Sequence, residues 1–252
     1  MDFNTDTIGF CEGTLYFPEY INSITSLFLV LSGYIGLFCS KNTNPFGKLF
    51  FASIFVNGIG SFGYHWTNHI GWRYIDEFSM VILSLSAMMS TGMILLKDKS
   101  NLYSICMVVI VSYLVIALVF DALDNISVFR IFFGIFLGII CICMLYLIYL
   151  NNTIDKNILM YPRIGIVLLL LSSSTWLITE TLCDRIYWIK YIPGHAIWHI
   201  GMSLCGYYLC QFIVYIMARD SNYSVDFNVN KPFNKLFPSV NYMDMYLLWD
   251  CN

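Results

Sequence analysis

The chain has 252 residues, of which 58% are hydrophobic and 12% charged, and its formal net charge is −3. Together with a mean hydropathy of +0.69, this composition excludes an ordinary soluble domain and is typical of a multi-pass α-helical membrane protein. The low charge and the lack of a basic stripe argue against nucleic acid as a partner.

Seven apolar segments are long enough to cross a bilayer as helices. In chain order they cover residues 21–40, 48–66, 75–96, 102–121, 128–150, 163–184 and 193–217, and a polar tail follows at 218–252. The second segment is the most polar, because it holds three glycines, two serines, an Asn and a His. We therefore expect an all-α fold, a single seven-helix transmembrane bundle formed by residues 1–217.

The lysines and arginines of the loops predict how this bundle is oriented. Nine of them fall on one side of the seven-span arrangement, and four, Arg73, Arg130, Arg185 and Lys190, fall on the other. Because positive loops stay in the cytosol, the amino terminus is expected outside or in the lumen. The carboxyl terminus and the polar tail are expected in the cytosol.

All four histidines fall in two H-x-x-x-H pairs, His65/His69 and His195/His199, and Asp76 follows His65 by eleven residues. Ionisable side chains in hydrocarbon are costly and usually functional. In the predicted arrangement the second span ends at His65, the third starts at Asp76 and the seventh starts at the second pair. These residues therefore share one depth, near the outer end of the bundle.

The residues at this depth match a catalytic zinc site, which takes three protein ligands and leaves a fourth position open. We predict that His65, His195 and His199 bind the metal. Ser61 lies one helical turn before His65, where its hydroxyl can stabilise a developing oxyanion. Asp76 is expected to accept a proton from the attacking water and deliver it to the leaving group. The set predicts hydrolysis of an amide or ester within reach of the bilayer.

Each of these residues alone also fits a structural role. A membrane histidine commonly bonds to a neighbouring helix, and an Asp at a helix start commonly caps it. Their shared depth favours the metal site. The fourth histidine, His69, is expected in a loop or at the rim of the site. Glu180, near the outer end of the sixth span, either lines the cavity or reaches the membrane interface.

Two cysteines, Cys11 and Cys183, fall on the outer side, which is oxidising in secretory compartments. We predict that they form a disulfide, which Cα atoms more than about 7 Å apart would exclude. Most other cysteines lie in apolar runs, where Cys behaves as a small hydrophobic residue.

The polar residues form three motifs: G-x-G-S-x-x-x-H at 58–65, Asp76 eleven residues further on, and H-A-x-W-H at 195–199. In this order, and over roughly residues 9–217, they resemble the alkaline ceramidases. These belong to a wider group of seven-span zinc hydrolases with adiponectin-receptor-like proteins and GPI-lipid remodelling factors. The resemblance implies hydrolysis of the N-acyl bond of ceramide to sphingosine and a fatty acid, in the endoplasmic reticulum or Golgi.

The amino-terminal segment, with F-C-E followed by Glu19, is similar to the ceramidase amino terminus. In that family an Asp, a Trp carbonyl, a Glu, an Asn and a second Glu form a calcium site. Glu12 and Glu19 match the two Glu positions, while Gly9, Phe10 and Thr14 occupy the others. The resemblance therefore implies a calcium site built on Glu12 and Glu19, on the same side as the zinc.

Two other functions fit the same residues. A related seven-span lipid esterase, of the GPI-remodelling type, would use an equivalent metal site on an ester. A non-enzymatic seven-helix lipid receptor would hold structural zinc or none. A metal analysis that finds no zinc separates the receptor from the enzymes, and substrate screening separates amide from ester. The expected partners are the membrane and a ceramide-type lipid.

Overall fold

In a computed structural model of the protein, the described residues are 10–11, 19–38, 45–96, 126–220, 224–228 and 236–243. Within them the chain forms six long α-helices, a 3-10 helix and two short strands. The elements are α1 (Tyr20–Phe38), α2 (Pro45–Thr67), α3 (Ile70–Leu95), α4 (Ile126–Leu150), α5 (Lys156–Leu182), the 3-10 helix (Tyr187–Tyr191), α6 (Gly194–Asp220), β1 (Ser224–Asn228) and β2 (Ser239–Met243).

Five helices in the described residues are long and apolar enough to cross a membrane, namely α1, α3, the part of α4 from Phe133, α5 and α6. The remaining long helix, α2, is the segment that the sequence marks as most polar, and it packs against both α1 and α3. The helical membrane class is therefore confirmed. The predicted span at 102–121 lies outside the described residues, and the count of seven and the orientation of the termini stay predictions.

The α2–α3 connection is shorter than predicted, and this moves Asp76. Helix α3 begins at Ile70 rather than at residue 75, because Asn68 and His69 alone join it to α2. Asn68 adopts a left-handed backbone conformation, with φ of 52°, which Asn tolerates better than most residues. His69 caps α3, since its Nδ1 accepts a hydrogen bond from the amide two residues on, at 3.0 Å. Asp76 therefore lies in the second turn of α3 and is not its cap.

Helices α5 and α6 also extend beyond their predicted ends. Asp155 caps α5 by accepting a hydrogen bond from the Asn157 amide at 2.9 Å, so the helix starts at Lys156 rather than at 163. Such caps satisfy backbone amides that would otherwise lack a partner in the first turn. At the same end of the bundle, α6 continues past residue 217 to Asp220, and Arg219 in its last turn donates a hydrogen bond to Asn151 Oδ1 at 2.7 Å.

The segment predicted as a polar tail contains β1 and β2, which pair antiparallel with Ser224 opposite Met243. The sheet lies against α6. Just before β2, the Pro238 carbonyl accepts a hydrogen bond from the Tyr207 hydroxyl at 3.0 Å. The ring of Phe237 packs edge-on against Tyr207, with centroids 5.2 Å apart. The all-α expectation thus describes the bundle, while the segment after it adds this two-stranded sheet.

Helix α6 forms the centre of the described bundle and packs on α5, α1 and α2. Small residues let it come close to α5, because a Cβ on Gly201 would collide with the Ser172 side chain. Close approach at small residues is the usual way in which helices associate where lipid removes the hydrophobic driving force. The start of α6 lies beside the end of α2, where His65, His195 and His199 meet, and this junction is called the histidine end of the bundle below.

Candidate metal centre

Three buried histidines meet at the histidine end of the bundle. His65 comes from the last turn of α2, and His195 and His199 come from the first two turns of α6. One side-chain nitrogen of each lies within 4.8 Å of the other two. The three residues are 2%, 6% and 3% exposed, respectively. Among the described residues, the fold therefore creates a group that can hold a metal ion.

Two of the three rings, those of His65 and His199, are hydrogen-bonded through Nδ1, which leaves Nε2 of each available to a metal ion. His65 Nδ1 is 2.7 Å from Glu19 Oε2, and His199 Nδ1 is 3.1 Å from the Asn22 carbonyl oxygen. A carbonyl or carboxylate oxygen accepts hydrogen bonds, so these partners place the proton on Nδ1 of each ring. The Nε2 lone pair then points to the centre. Metal-binding histidines are commonly oriented in this way.

The spacing of two of the nitrogens fits a tetrahedral metal ion. His65 Nε2 and His195 Nε2 are 3.2 Å apart, a distance at which two lone pairs repel unless a proton or cation lies between them. Zinc–nitrogen bonds of about 2.0–2.1 Å at tetrahedral angles hold two imidazole nitrogens about 3.3 Å apart. The three residues therefore fit zinc in identity, and the His65–His195 pair fits it in spacing. Imidazole also suits copper, iron and nickel, so the geometry is that of a group that could hold a metal ion and does not single out one metal.

Two buried serines adjoin the histidines. Ser26 of α1 donates a hydrogen bond from its hydroxyl to Ser61 Oγ at 3.1 Å. Ser61 Oγ in turn lies 3.2 Å from His199 Nε2. Ser61 is only 1% exposed. The Ser61 hydroxyl, one helical turn before His65, is therefore next to His199 Nε2, the nitrogen that faces the centre.

Asp76 reaches the same region from α3 because α2 and α3 touch. A Cβ on Gly60 would lie 2.7 Å from the Asp76 amide nitrogen, while a Cβ on Gly58 would collide with α1 at Val30. The G-x-G part of the motif therefore lets α2 approach one neighbour on each side. Asn57 donates a hydrogen bond from Nδ2 to Asp76 Oδ1 at 2.6 Å and is also 3.1 Å from its carbonyl oxygen.

A cavity lies beside the centre, with a polar end and an apolar end. Its polar end includes Ser61, Arg73, Asp76, Glu77, His195 and His199, and its apolar lining includes Leu29, Met80, Leu83 and Met202. Met80 and Leu83 follow Asp76 along α3, and Met202 follows His199 along α6. The apolar wall therefore runs from the histidine end into the bundle. This arrangement suits a molecule with a polar linkage and a long alkyl chain.

The amino-terminal residues cover the centre. The Phe10 ring stacks on His195, with centroids 3.8 Å apart and an interplanar angle of 27°. Cys11 forms a disulfide with Cys183, with Cα atoms 5.6 Å apart, so the predicted pairing is confirmed. The Cys11 amide also donates to Glu180 Oε1 at 3.1 Å. Glu180, for which the sequence left two roles open, thus helps to fix the amino-terminal segment.

The structure gives Glu19 a role that sequence reasoning missed. The resemblance assigned Glu19 to calcium, whereas here its Oε2 accepts from His65 Nδ1 at 2.7 Å and from Asn22 Nδ2 at 2.8 Å. A carboxylate behind a metal-binding imidazole holds the ring and raises its basicity. Glu12, the other predicted calcium ligand, lies outside the described residues.

Helix α1 also contributes to the centre in a way that sequence reasoning missed. Besides the Asn22 carbonyl, Thr25 Oγ1 and Ser26 Oγ lie 3.1 and 3.3 Å from His199 Nδ1. The available signal was the spacing of the polar residues, because Thr25 and Ser26 follow Asn22 by three and four residues in a largely apolar helix. Such spacing marks one helical face.

The described fold and centre define a class: a multi-pass helical membrane protein with a buried three-histidine group, able to hold a metal ion, beside an amphiphilic cavity. The family is given by comparison with known proteins. The profile of the ceramidase family matches residues 3–241, so the chain belongs to the ceramidase family. This membership confirms the resemblance in the motifs and implies a hydrolase acting on the amide bond of ceramide. A search of curated protein sequences finds no match.

Proposed function

We propose that this protein is a zinc-dependent amidase that cleaves the N-acyl bond of ceramide to sphingosine and a free fatty acid. The observation that carries the proposal is the convergence of His65, His195 and His199 in a chain of the ceramidase family. The adjoining hydroxyl and carboxylate, and the apolar cavity wall, supply the other parts that lipid amide hydrolysis needs.

Zinc is the metal that we propose for the centre. Three neutral imidazoles are a common ligand set of catalytic zinc, and no redox chemistry is needed to hydrolyse an amide. When bound, zinc supplies Lewis-acid polarisation of the substrate carbonyl and makes water nucleophilic at neutral pH. His65 and His199 are already oriented for this task by Glu19 and by the Asn22 carbonyl.

Ser61 is proposed to stabilise the carbonyl oxygen of the substrate as negative charge develops on it. Its Oγ accepts a hydrogen bond from Ser26, and once the neighbouring His199 Nε2 binds the proposed metal, the hydrogen of Ser61 can be donated to the substrate. A preorganised donor in a water-poor site lowers the barrier more than the same donor in water. Ser61 meets both conditions, because it is buried and its position is held by a second hydroxyl.

Asp76 is proposed to move the proton. Its carboxylate accepts the proton of the attacking water and then gives it to the amine nitrogen of the sphingoid base, which leaves as the C–N bond breaks. Amines are poor leaving groups until they are protonated, so this transfer is needed for the amide to cleave. Asp76 is half-buried and lines the same cavity as the histidines and Ser61.

The cavity supports a lipid substrate. The proposed path lays the acyl chain along Met80, Leu83 and Met202, with the amide at the histidine end. Each buried methylene group contributes about 0.8 kcal/mol of transfer free energy, so the alkyl chain can supply most of the binding energy. The polar residues at the histidine end then limit how far the acyl chain enters the cavity. This brings the amide of the substrate, rather than another of its bonds, to the histidines.

A calcium site at Glu12 and Glu19 stays a prediction of the resemblance. Such a site would be linked to the proposed zinc site, because Glu19 is hydrogen-bonded to His65. An ion bound to the Glu19 carboxylate would therefore act on a proposed zinc ligand. Calcium needs six or more oxygen ligands. Asn22 could supply one further oxygen. Its side-chain oxygen is buried and has no hydrogen-bond partner among the described residues, and its Nδ2 donates a hydrogen bond to Glu19.

The test is a comparison of three purified proteins: wild type, His65→Ala and His69→Ala. His69 is the matched control, because it is a histidine four residues away that caps α3 and does not belong to the cluster. Metal analysis is expected to find about one zinc per chain in wild type and in His69→Ala, as a three-ligand site requires. His65→Ala is expected to lose it.

The same proteins should be incubated with ceramide and, separately, with an ester-linked lipid of equal chain length, and the products identified by mass spectrometry. Release of sphingosine by wild type and His69→Ala, but not by His65→Ala, supports the proposal. Preferential cleavage of the ester would favour the esterase alternative. Zinc without turnover of either lipid would favour a receptor.

A further inference from the structure

We propose that Asn57 is a positioning residue for the reaction, which holds the carboxylate of Asp76 in the orientation that proton transfer requires. The inference rests on the proposed function, because it gives Asp76 a supporting group. It is independent of the metal ligands. Asn57 is not part of the sequence motifs that resemble those of the ceramidases.

The geometry of the contact carries the inference. Asn57 is 5% exposed and sits in the interior of α2, where an amide is costly unless it is hydrogen-bonded. Its Nδ2 lies 2.6 Å from Asp76 Oδ1 and 3.1 Å from the Asp76 carbonyl oxygen. The amide thus binds both the side chain and the backbone of the same residue. Ser79 also donates to the Asp76 carbonyl, at 2.7 Å, whereas Asn57 contacts both that carbonyl and the carboxylate.

This contact matters because a carboxylate rotates easily. The terminal torsion of Asp has broad, nearly two-fold preferences, so neither oxygen is fixed by the backbone. With Oδ1 bound to the Asn57 amide, proton transfer falls to Oδ2. Catalytic groups need to be held within a fraction of an ångström by supporting hydrogen bonds. Asn57 provides that support from the helix that also carries Ser61 and His65, so the three groups share one rigid frame.

Asn57 belongs to a stripe on α2 that offers a matched control. Ser53, Asn57, Ser61 and His65 follow one another at intervals of four residues and therefore share a helical face. Ser53 is buried, but its hydroxyl donates to the Leu49 carbonyl of its own helix. Ser53→Ala consequently removes a buried polar group from the same face without touching Asp76.

The experiment is a double-mutant cycle with Asn57→Leu and Asp76→Asn, measured as ceramide hydrolysis by the purified proteins. Leu keeps the approximate volume of the side chain and removes the amide. A hydrogen bond to a charged group contributes enough for its loss to lower kcat about ten- to a hundred-fold. We expect that loss in Asn57→Leu, with KM and zinc content as in wild type and Ser53→Ala. Coupled groups are non-additive, so Asn57→Leu should cause no further loss in an Asp76→Asn background.

The cycle also defines what would overturn the inference. An equal additional loss in the Asp76→Asn background would mean that Asn57 acts on the substrate or the fold rather than through Asp76. A raised KM, or loss of zinc, would lead to the same conclusion. A structure of Asn57→Leu gives a readout that needs no activity: the Asp76 carboxylate should leave its position, and an unchanged carboxylate would refute the inference. Failure of the wild-type protein to cleave ceramide would instead count against the proposed function. The structure of Asn57→Leu would still show whether Asn57 holds the Asp76 carboxylate.

Discussion

The side chains of Glu19 and His65 are hydrogen-bonded to each other at the histidine end of the bundle, with Glu19 Oε2 2.7 Å from His65 Nδ1. The first residue precedes α1 and the second ends α2, and both side chains are largely removed from solvent. Their backbones are also linked, because the Glu19 amide donates to the His65 carbonyl at 3.1 Å. The entry to the first helix and a proposed metal ligand therefore form one unit.

Glu19→Gln is expected to weaken metal binding. The substitution keeps the shape of the side chain but replaces the charged acceptor behind His65 with a neutral amide. Loss of such a supporting group typically lowers metal affinity about 10- to 100-fold. Zinc affinity should be measured by competition with a chromophoric chelator, with His69→Ala as the control. Unchanged zinc affinity would show that the Glu19–His65 contact is not part of the metal site.

Calcium removal is expected to lower activity while zinc remains bound. The reason is that an ion held by Glu12 and Glu19 would brace the amino-terminal segment over the centre, as the family resemblance implies. Activity should be compared in millimolar calcium and in a calcium-selective chelator, with zinc measured in both samples. Equal activity in the two conditions would leave Glu12 as a solvated residue and Glu19 as a partner of His65 alone.

Asp76→Asn and Ser61→Ala are each expected to keep zinc and lose turnover. Both residues adjoin the centre but are not proposed as ligands, so metal content should match wild type. Removal of a proton-transfer group or an oxyanion donor typically lowers kcat by about 10²-fold or more. Ser53→Ala is the control for Ser61→Ala, since it removes a buried hydroxyl two turns away. Near-normal turnover in both mutants would mean that the roles are misassigned.

Gly60→Ala is expected to reduce activity without releasing the metal. The added Cβ would lie 2.7 Å from the Asp76 amide nitrogen, so α3 must move away from α2. Overpacking of this kind typically costs about 1–3 kcal/mol. The histidines lie on α2 and α6, so zinc content should be maintained. Gly138→Ala is the matched control, because a Cβ there meets nothing within 4 Å. Full activity of Gly60→Ala would show that the α2–α3 contact does not set the position of Asp76.

Removal of the Cys11–Cys183 disulfide is expected to destabilise the protein. The bridge closes a loop with a sequence separation of 172 residues, and loss of a native disulfide commonly costs about 2–5 kcal/mol in small domains. The melting temperature in detergent should fall equally in Cys11→Ser, Cys183→Ser and the double mutant, because each removes the same bond. Cys143→Ser, at a free and half-buried cysteine, is the control. A melting temperature that is insensitive both to these changes and to reductant would contradict the prediction.

The sequence by itself determined the helical membrane class, which three histidines come together, and the family motif. These are properties of composition and of spacing along one helix, which periodicity reports directly. Shared depth at the ends of α2 and α6 was enough to bring His65, His195 and His199 together. The pairing of Cys11 with Cys183 followed from the same placement of elements at one end of the bundle.

The tertiary structure decided how each of those residues is supported. Periodicity shows which residues share a face, but not how one helix is rotated or displaced against the next. Here that relation depends on close packing at small residues, such as Gly60 against α3. The contacts Glu19–His65, Asn22–His199 and Asn57–Asp76 join segments that are separate along the chain. They follow from the packing rather than from any one segment, and for that reason only the assembled bundle reveals them.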